Sequence, residues 1–147
     1  MKQTFGYKAK ARQFFVVLLP IFITQLSLMA TGFFNTVMAG HISLCVNSDI
    51  LNEYEEILSQ KTTAEIARNV IKTIIRLNTT VFQQVYYHFG LIETDPDDNK
   101  FVDCAIAVNA EYIVSNDAHF NVLKHVDWPR LTVIDIQTFT NQIDKDL

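Results

Sequence analysis

The chain has 147 residues, of which 49% are hydrophobic and 19% are charged, a composition that argues against a disordered chain and allows one domain with a sizeable core. No acidic residue precedes Asp49, whereas all 16 acidic residues and eight of the basic ones lie from Asp49 onward. The resulting balance of −8 argues against a nonspecific electrostatic grip on nucleic acid, which needs a basic face.

Two cysteines, Cys45 and Cys104, lie in apolar surroundings and have neither metal-ligand spacing nor the pattern of a disulfide framework. We expect both to be reduced core residues, which suits a cytoplasmic protein. The four histidines form no metal-binding motif, and we interpret each as a surface or packing residue.

The first predicted element is a charge-free run of 24 residues at positions 14–37. As a helix it would be roughly 36 Å long at about 1.5 Å per residue, enough to cross a hydrocarbon core of about 30 Å. Because this run is longer than the apolar part of a signal peptide, we predict a candidate transmembrane helix. The cations that would hold its beginning in the cytoplasm are Lys2, Lys8, Lys10 and Arg12.

A short buried strand and two amphipathic helices follow. Residues 44–46 predict the strand, and Ser48 is the predicted N-cap of a helix over residues 49–59. A Thr-Thr-Ala-Glu capping box predicts a second helix over residues 63–77. The predicted buried stripe of the second helix consists of Ile66, Val70, Ile71, Ile74, Ile75 and Leu77.

An extended segment and an acidic turn come next. Residues 79–92 are rich in β-branched and aromatic side chains, which favour extended structure. Pro96 pushes Asp95 into an extended conformation, and Asp97 can cap a helix that we predict to begin near Asp98.

Residues 112–114 predict a short strand covered on both faces, and Asp117 follows its end. Ligands of parallel α/β sheets bind beyond the carboxyl ends of the strands, where the acidic turn could approach Asp117. We predict that Asp103, on the helix between the two, is exposed.

Carboxylates from separate segments that meet at one point repel each other, and a hard cation such as Mg²⁺ removes that repulsion. The order of acidic turn, helix, strand and acid therefore indicates a site for phosphodiester hydrolysis. Ordinary helix capping and turn chemistry are the alternative interpretation of the same acids.

Three elements complete the predicted domain. A short helix over residues 118–126 directs Phe120 and Leu123 inward, a strand covers residues 131–134, and a terminal helix covers residues 137–147.

Two stretches resemble the PIN-domain nucleases, in particular those of bacterial toxin-antitoxin systems. One is Leu-Cys-Val-Asn-Ser-Asp-Ile-Leu-Asn-Glu-Tyr-Glu-Glu-Ile-Leu at positions 44–58. The other joins Asp-Pro-Asp-Asp-Asn-Lys-Phe at positions 95–101 to Ala-Glu-Tyr-Ile-Val-Ser-Asn-Asp at positions 110–117. The resemblance covers residues 43–142 and implies an α/β fold, a three-layer α/β/α arrangement with a parallel sheet.

The resemblance implies a metal-dependent endoribonuclease in which Glu53, Asp98 and Asp117 are the catalytic residues and the ligands of Mg²⁺ or Mn²⁺. A metal-activated water would attack the phosphodiester while the cation stabilises charge on the phosphate. The implied partners are an RNA substrate, a cognate antitoxin protein and, in a homodimer, a second copy of the chain. Residues that could orient the phosphate or a metal-bound water are Ser115, Asn116 and Asn99.

Residues 9–42 have a resemblance of their own, to the first transmembrane helix of multidrug and toxic compound extrusion transporters. It rests on Leu-Leu-Pro-Ile-Phe-Ile-Thr-Gln-Leu-Ser-Leu-Met-Ala-Thr-Gly-Phe-Phe-Asn-Thr-Val-Met-Ala-Gly-His at positions 18–41. We therefore divide the chain into a transporter-like hydrophobic segment, residues 1–42, and a truncated PIN-like domain, residues 43–147. The second part would work in the cytoplasm, with membrane association through residues 14–37.

PIN domains begin with a short central strand that ends in an acid, and no acid precedes residue 43 here. The expected sheet therefore lacks its normal first strand, although residues 14–19 could pair as a stand-in that brings no carboxylate. Two hypotheses follow: a PIN ribonuclease, inactive if the missing acid is essential, and a non-catalytic remnant that is membrane-anchored or binds an antitoxin.

Overall fold

The computed structural model describes residues 14–18 and 42–146. Within this part the chain forms a five-stranded sheet, four α-helices and two 3₁₀ helices. In chain order the elements are β1 (Phe14–Leu18), β2 (Ile42–Val46), α1 (Ser48–Lys61), α2 (Ala64–Arg76), β3 (Thr80–Phe82), the first 3₁₀ helix (Pro96–Asp98), α3 (Asn99–Val108), β4 (Tyr112–Val114), the second 3₁₀ helix (Ala118–His125), β5 (Val133–Ile134) and α4 (Ile136–Asp146).

The sheet is parallel throughout, and its strands lie in the order β3-β2-β1-β4-β5. Strand β1 occupies the centre, where Val16 is in register with Leu44 on one side and Tyr112 on the other. Helix α3 packs against all three central strands. This is the parallel α/β fold that the sequence predicts.

The predicted helix over residues 14–37 is wrong at its beginning, because Phe14–Leu18 forms strand β1. The sheet therefore does not lack a central strand. The alternative expectation, that residues 14–19 pair as a stand-in strand without a carboxylate, is confirmed for Phe14–Leu18. Two Phe and two Val residues favour extended structure, and β2 and β4 both offer backbone groups to pair with this segment. Residues 19–37 of the predicted helix lie outside the described residues. In the part of the chain that the structure describes, no helix is long and apolar enough to cross a membrane.

The core lies between the sheet and its helices and contains side chains from most elements. Both cysteines are buried in the core as thiols, as predicted. Burial, together with the nearby Cys45 and Asp103, raises the pKa of the Cys104 thiol to about 12. Among the fully buried side chains are Val17, Tyr54, Phe101, Ile113 and Phe120.

Helix α1 begins one residue earlier than predicted, and its cap is Asn47 rather than Ser48. The Asn47 Oδ1 atom accepts a hydrogen bond of 2.9 Å from the backbone N–H of Ile50. An Asn in extended conformation is as good a cap as Ser, so Ser48 enters the first helical turn instead.

Helix α2 begins one residue later than predicted, and its cap is Thr63 rather than Thr62, the first residue of the predicted capping box. The Thr63 Oγ1 atom accepts a hydrogen bond from Ile66 N–H. Its buried face is narrower than the predicted stripe, since Ile66 and Ile75 are about half exposed. The side chains of this helix that are buried are Ala67, Ile71 and Ile74.

Of the predicted extended segment, only Thr80–Phe82 pairs in the sheet. The predicted strand before Asp117 and the predicted helix after it are both present, and Phe120 and Leu123 of that helix are buried. The last predicted strand is shorter than expected, and the terminal helix α4 is present.

Candidate metal centre

The side chain that caps the helix start in the acidic turn is that of Asp95, not that of Asp97 as predicted. Pro96 occupies the first position of the 3₁₀ helix and needs no hydrogen-bond acceptor for its nitrogen, so the preceding residue becomes the cap. The Asp95 Oδ1 atom accepts a hydrogen bond of 3.2 Å from Asp97 N–H. The Asp97 carboxylate is thereby left to pair with Lys100.

Asn99 fixes the acidic turn to the segment that precedes it. Its Oδ1 accepts a hydrogen bond of 2.9 Å from Ile92 N–H, and its Nδ2 donates to the carbonyl oxygens of Ile92 and Pro96 at 2.8 and 3.0 Å. Ile92 is itself buried in the core. Asn99 therefore positions Asp98 by anchoring the turn that carries it.

The carboxyl end of β4 carries the second acidic region. Ser115 is buried, and its Oγ accepts a hydrogen bond of 2.9 Å from Asp117 N–H. The Asn116 Oδ1 atom accepts from the backbone N–H of Ile136 at 3.3 Å. These two side chains therefore shape the turn that presents Asp117 at the sheet edge, beside a cavity of about 380 Å³ that all three residues line.

His119 joins the two acidic regions. Its Nδ1 atom lies 3.3 Å from Asp98 Oδ2, 3.5 Å from Asp117 Oδ1 and 3.9 Å from Asp95 Oδ2. The sequence prediction that the acidic turn approaches Asp117 is therefore confirmed. One ligand atom from each of Asp95, Asp98 and His119 lies within 4.8 Å of the others, a group that could hold a metal ion.

The surroundings of the Asp98 carboxylate disfavour its negatively charged form. Burial raises the pKa of Asp98 most, the charges of Asp95 and Asp117 raise it further, and the hydrogen bond to His119 opposes both effects. A cation would relieve this repulsion. Two carboxylates and one imidazole form a donor set that suits a divalent metal ion.

Glu53, the third acid expected at the site, is held elsewhere. Its Oε2 lies 2.6 Å from Lys100 Nζ, and the same ammonium pairs with Asp97 at 2.5 Å. Burial lowers the pKa of Lys100, but its hydrogen bonds and ion pairs with Asp97 and Glu53 outweigh burial and raise the pKa overall. Among the described residues, Glu53 is not in the group whose ligand atoms could share one ion with Asp98.

Asp103 is buried, so the prediction that it is exposed is wrong. Its two oxygens accept hydrogen bonds from His88 Nδ1 at 2.9 Å and from Phe89 N–H at 3.0 Å. A carboxylate on a helix turns inward when partners from another segment satisfy it, and both partners here belong to the segment after β3.

Sequence reasoning missed three residues of this region. His119 was interpreted as a surface or packing residue, and Asp95 and Lys100 were not chosen as site residues. The available signal was proximity in sequence, because Asp95 and Lys100 flank Asp98 and His119 follows Asp117 by two positions. Their contacts with one another become visible only once the acidic turn and the end of β4 meet.

Comparison with solved structures supports the fold. The PAE2754 protein from Pyrobaculum aerophilum matches with a TM-score of 0.59 at 9% identity, over 98% of this chain and 99% of that one. VapBC2 from Rickettsia felis, solved with a DNA fragment from its promoter, matches with a TM-score of 0.57 at 16% identity, over 82% and 98%. The PIN domain endonuclease Utp24 matches with a TM-score of 0.52 at 13% identity, over 83% and 84%.

A short segment of the chain is similar to a different class of protein. Over 43 residues the chain is 49% identical to the probable multidrug resistance protein NorM from Bacillus cereus, and the same proportion holds for NorM from Bacillus anthracis. The match covers 29% of this chain and about a tenth of the length of these curated relatives.

The family model described as PIN domain matches residues 17–119. This range begins within β1 and ends at His119, so it includes the central strand, the acidic turn and the end of β4. It covers more than half of the chain. The chain therefore belongs to the PIN domain family.

Proposed function

We propose that this chain is a metal-dependent endoribonuclease of the PIN toxin type. The observation that supports it best is the convergence of Asp98 and Asp117 on His119 at the carboxyl edge of the parallel sheet. Ligands of parallel α/β proteins bind at this edge, and hydrolysis of a phosphodiester needs a centre that neutralises developing negative charge. An RNA substrate requires the domain to work in the cytoplasm.

Asp95, Asp98 and His119 would hold the cation, with the Asp117 carboxylate beside them. Imidazole is a better ligand for transition metals than for Mg²⁺, so we propose Mn²⁺ as the preferred ion. When bound, such an ion supplies an activated water and charge stabilisation on the phosphate. Asn99 and Ser115 fix the two turns, so the carboxylates are positioned before substrate arrives.

In this proposal Glu53 does not bind the metal ion but forms an ion pair with Lys100. The ion pair joins helix α1 to the first turn of α3 and so holds the acidic turn against the rest of the domain. Asn116 supports the same edge of the sheet from the other side, through its bond to the start of α4.

A specific observation favours the second candidate, a non-catalytic PIN domain that binds an antitoxin. Strand β1 ends at Leu18 beside Val114 of β4, and no acidic residue occurs in the sequence before Asp49. The central strand therefore contributes no carboxylate to the carboxyl edge. The likeness to the fold of VapBC2 is compatible with either candidate.

Cleavage of a labelled single-stranded RNA by the purified full chain distinguishes the two candidates. We expect cleavage in Mn²⁺ that stops when EDTA is added. Asp98→Asn and Asp117→Asn should each lower the rate by roughly 100-fold or more, the usual loss when one group that stabilises a transition state is removed. The exposed acid Glu65 provides a control, since Glu65→Gln should cleave like the unchanged chain.

A folded chain that binds Mn²⁺ and leaves RNA intact would contradict the nuclease and favour the antitoxin-binding candidate. Cleavage that persists in Asp98→Asn would indicate a contaminating nuclease and would equally contradict the proposed site.

A further inference from the structure

Lys100 forms a two-carboxylate ion pair beside the candidate metal centre. Its Nζ lies 2.6 Å from Glu53 Oε2 and 2.5 Å from Asp97 Oδ2, so one ammonium bridges helix α1 and the acidic turn. Only 16% of the Lys100 side chain and 23% of the Glu53 side chain are exposed. Such a partly buried pair is held more firmly than an ion pair on an open surface.

The bridge lines a cleft of about 620 Å³ with strongly acidic walls. Among the residues that the structure describes, Lys100 and His88 are the basic side chains that line this cleft, and the His88 Nδ1 atom already pairs with Asp103. The acids that line it are Asp49, Glu53, Glu56, Asp97 and Asp103. Lys100 is thus the main source of positive charge for this group of carboxylates.

We propose that the ammonium of Lys100 occupies a cation position between Glu53 and Asp97, so that the chain binds one divalent ion rather than two. The proposal rests on the proposed function, because it concerns the same acidic region. It assigns one positive charge of that region to the metal ion at Asp98 and the other to the Lys100 side chain. Glu53 is then a partner of Lys100 and not a ligand of the ion at Asp98.

Geometry and charge both support this assignment. Two carboxylate oxygens from separate segments, one from the largely buried Glu53 and one from the exposed Asp97, contact the same ammonium, and a small cation could share these two oxygens. A divalent ion placed between the same oxygens would lie against the ammonium and be repelled by it. The lysine and a second metal ion therefore exclude each other.

The test counts Mn²⁺ ions bound to the full chain by calorimetry and by electron paramagnetic resonance. We expect one equivalent for the unchanged chain and two for Lys100→Met, because Glu53 and Asp97 are then free to bind an ion. The matched control is Lys72→Met, which removes an exposed lysine of helix α2, and it should still bind one equivalent.

Thermal unfolding gives a second measurement that does not depend on activity. In EDTA, Lys100→Met should unfold at a lower temperature than the unchanged chain, since it leaves Glu53 partly buried without its partner. Saturating Mn²⁺ should raise the midpoint of Lys100→Met more than that of Lys72→Met, because only the former gains a site. If circular dichroism shows that Lys100→Met does not fold, Lys100→Gln keeps a polar head group and serves in its place.

Two equivalents in the unchanged chain would overturn the proposal, and so would a folded Lys100 variant that gains none. These outcomes are separate from failure of the metal centre at Asp98. An unchanged chain that binds no Mn²⁺ would contradict that centre, whereas a gain of one equivalent on removing Lys100 would still support the lysine assignment.

Discussion

The imidazole Nδ1 of His119 lies 3.3 Å from Oδ2 of Asp98, although the two residues are 21 positions apart in the chain. Helix α3 and strand β4 separate them, and together these elements carry the chain away from the acidic turn and back to the same edge of the sheet. The contact between His119 and Asp98 therefore shows that the acidic turn and the end of β4 lie side by side.

Asp98→Asn should make the metal-free protein more stable at neutral pH. The pKa of Asp98 is raised, chiefly by burial, so its ionised form is disfavoured in the folded state. A raised pKa contributes stability below the unfolded value near 3.8 and loses it as pH rises through the folded value. Unfolding midpoints in EDTA should therefore be higher for Asp98→Asn at pH 7. The difference should shrink as pH falls through the folded pKa of Asp98 and should be lost below about 4.

Asp135 provides a control of opposite sign. Hydrogen bonds from Thr138 lower its pKa, and its Oδ1 accepts from Thr138 N–H at 2.6 Å at the start of α4. A lowered pKa gives stability that is present at neutral pH and lost in acid. Asp135→Asn should thus lower the midpoint at pH 7. The same sign of change in both variants would contradict the electrostatic description of Asp98.

Asp103→Ala should destabilise the fold although Asp103 lies outside the candidate metal centre. Hydrogen bonds to charged groups contribute roughly 1.5–3 kcal/mol each, and Asp103 accepts two. We expect a loss of about 3 kcal/mol in the free energy of unfolding, measured by urea denaturation. His88→Ala removes only one of the two partners and should cost less, about 1.5 kcal/mol. Equal losses for the two variants would mean that the bond to Phe89 N–H contributes nothing.

Removal of β1 should abolish cooperative folding. A chain that begins at residue 42 leaves β2 and β4 with unpaired backbone groups on facing edges and removes the fully buried Val17 from the core. We expect no sharp urea transition for this fragment by circular dichroism, in contrast to the full chain. A fragment that unfolds as sharply and at the same urea concentration as the full chain would show that β1 is dispensable.

The elements with strong local patterns could be predicted from the sequence. Residues 112–114 are apolar and bounded by turns. The predicted capping box at residues 62–65 marks the start of a helix to within one residue, and the acidic turn at Pro96 marks another helix start. Strand β1 was predicted only as an alternative to a membrane helix, because a long apolar run is compatible with both. The pairing of Phe14–Leu18 with both neighbours decides between the two.

The candidate site was predicted only in part, for a related reason. Asp98 and Asp117 could be predicted as site residues, because one lies at the start of a helix and the other follows a strand. In the structure both contact His119. The Lys100 bridge to Glu53 and the burial of Asp103 depend on partners from distant segments, which no local pattern records. The metal ion and the catalytic roles of Glu53, Asp98 and Asp117 stay predictions.

Calorimetric titration of Mn²⁺ into the full chain tests the central claim most directly. Asp98→Asn combined with Asp117→Asn is compared with Glu65→Gln combined with Asp127→Asn, a control that removes two exposed acids and changes the net charge equally. We predict one bound Mn²⁺ for the unchanged chain and for the control, and none for the Asp98 and Asp117 double variant. Binding that survives in that double variant, or that is absent from the unchanged chain, would contradict a metal centre at this edge of the sheet.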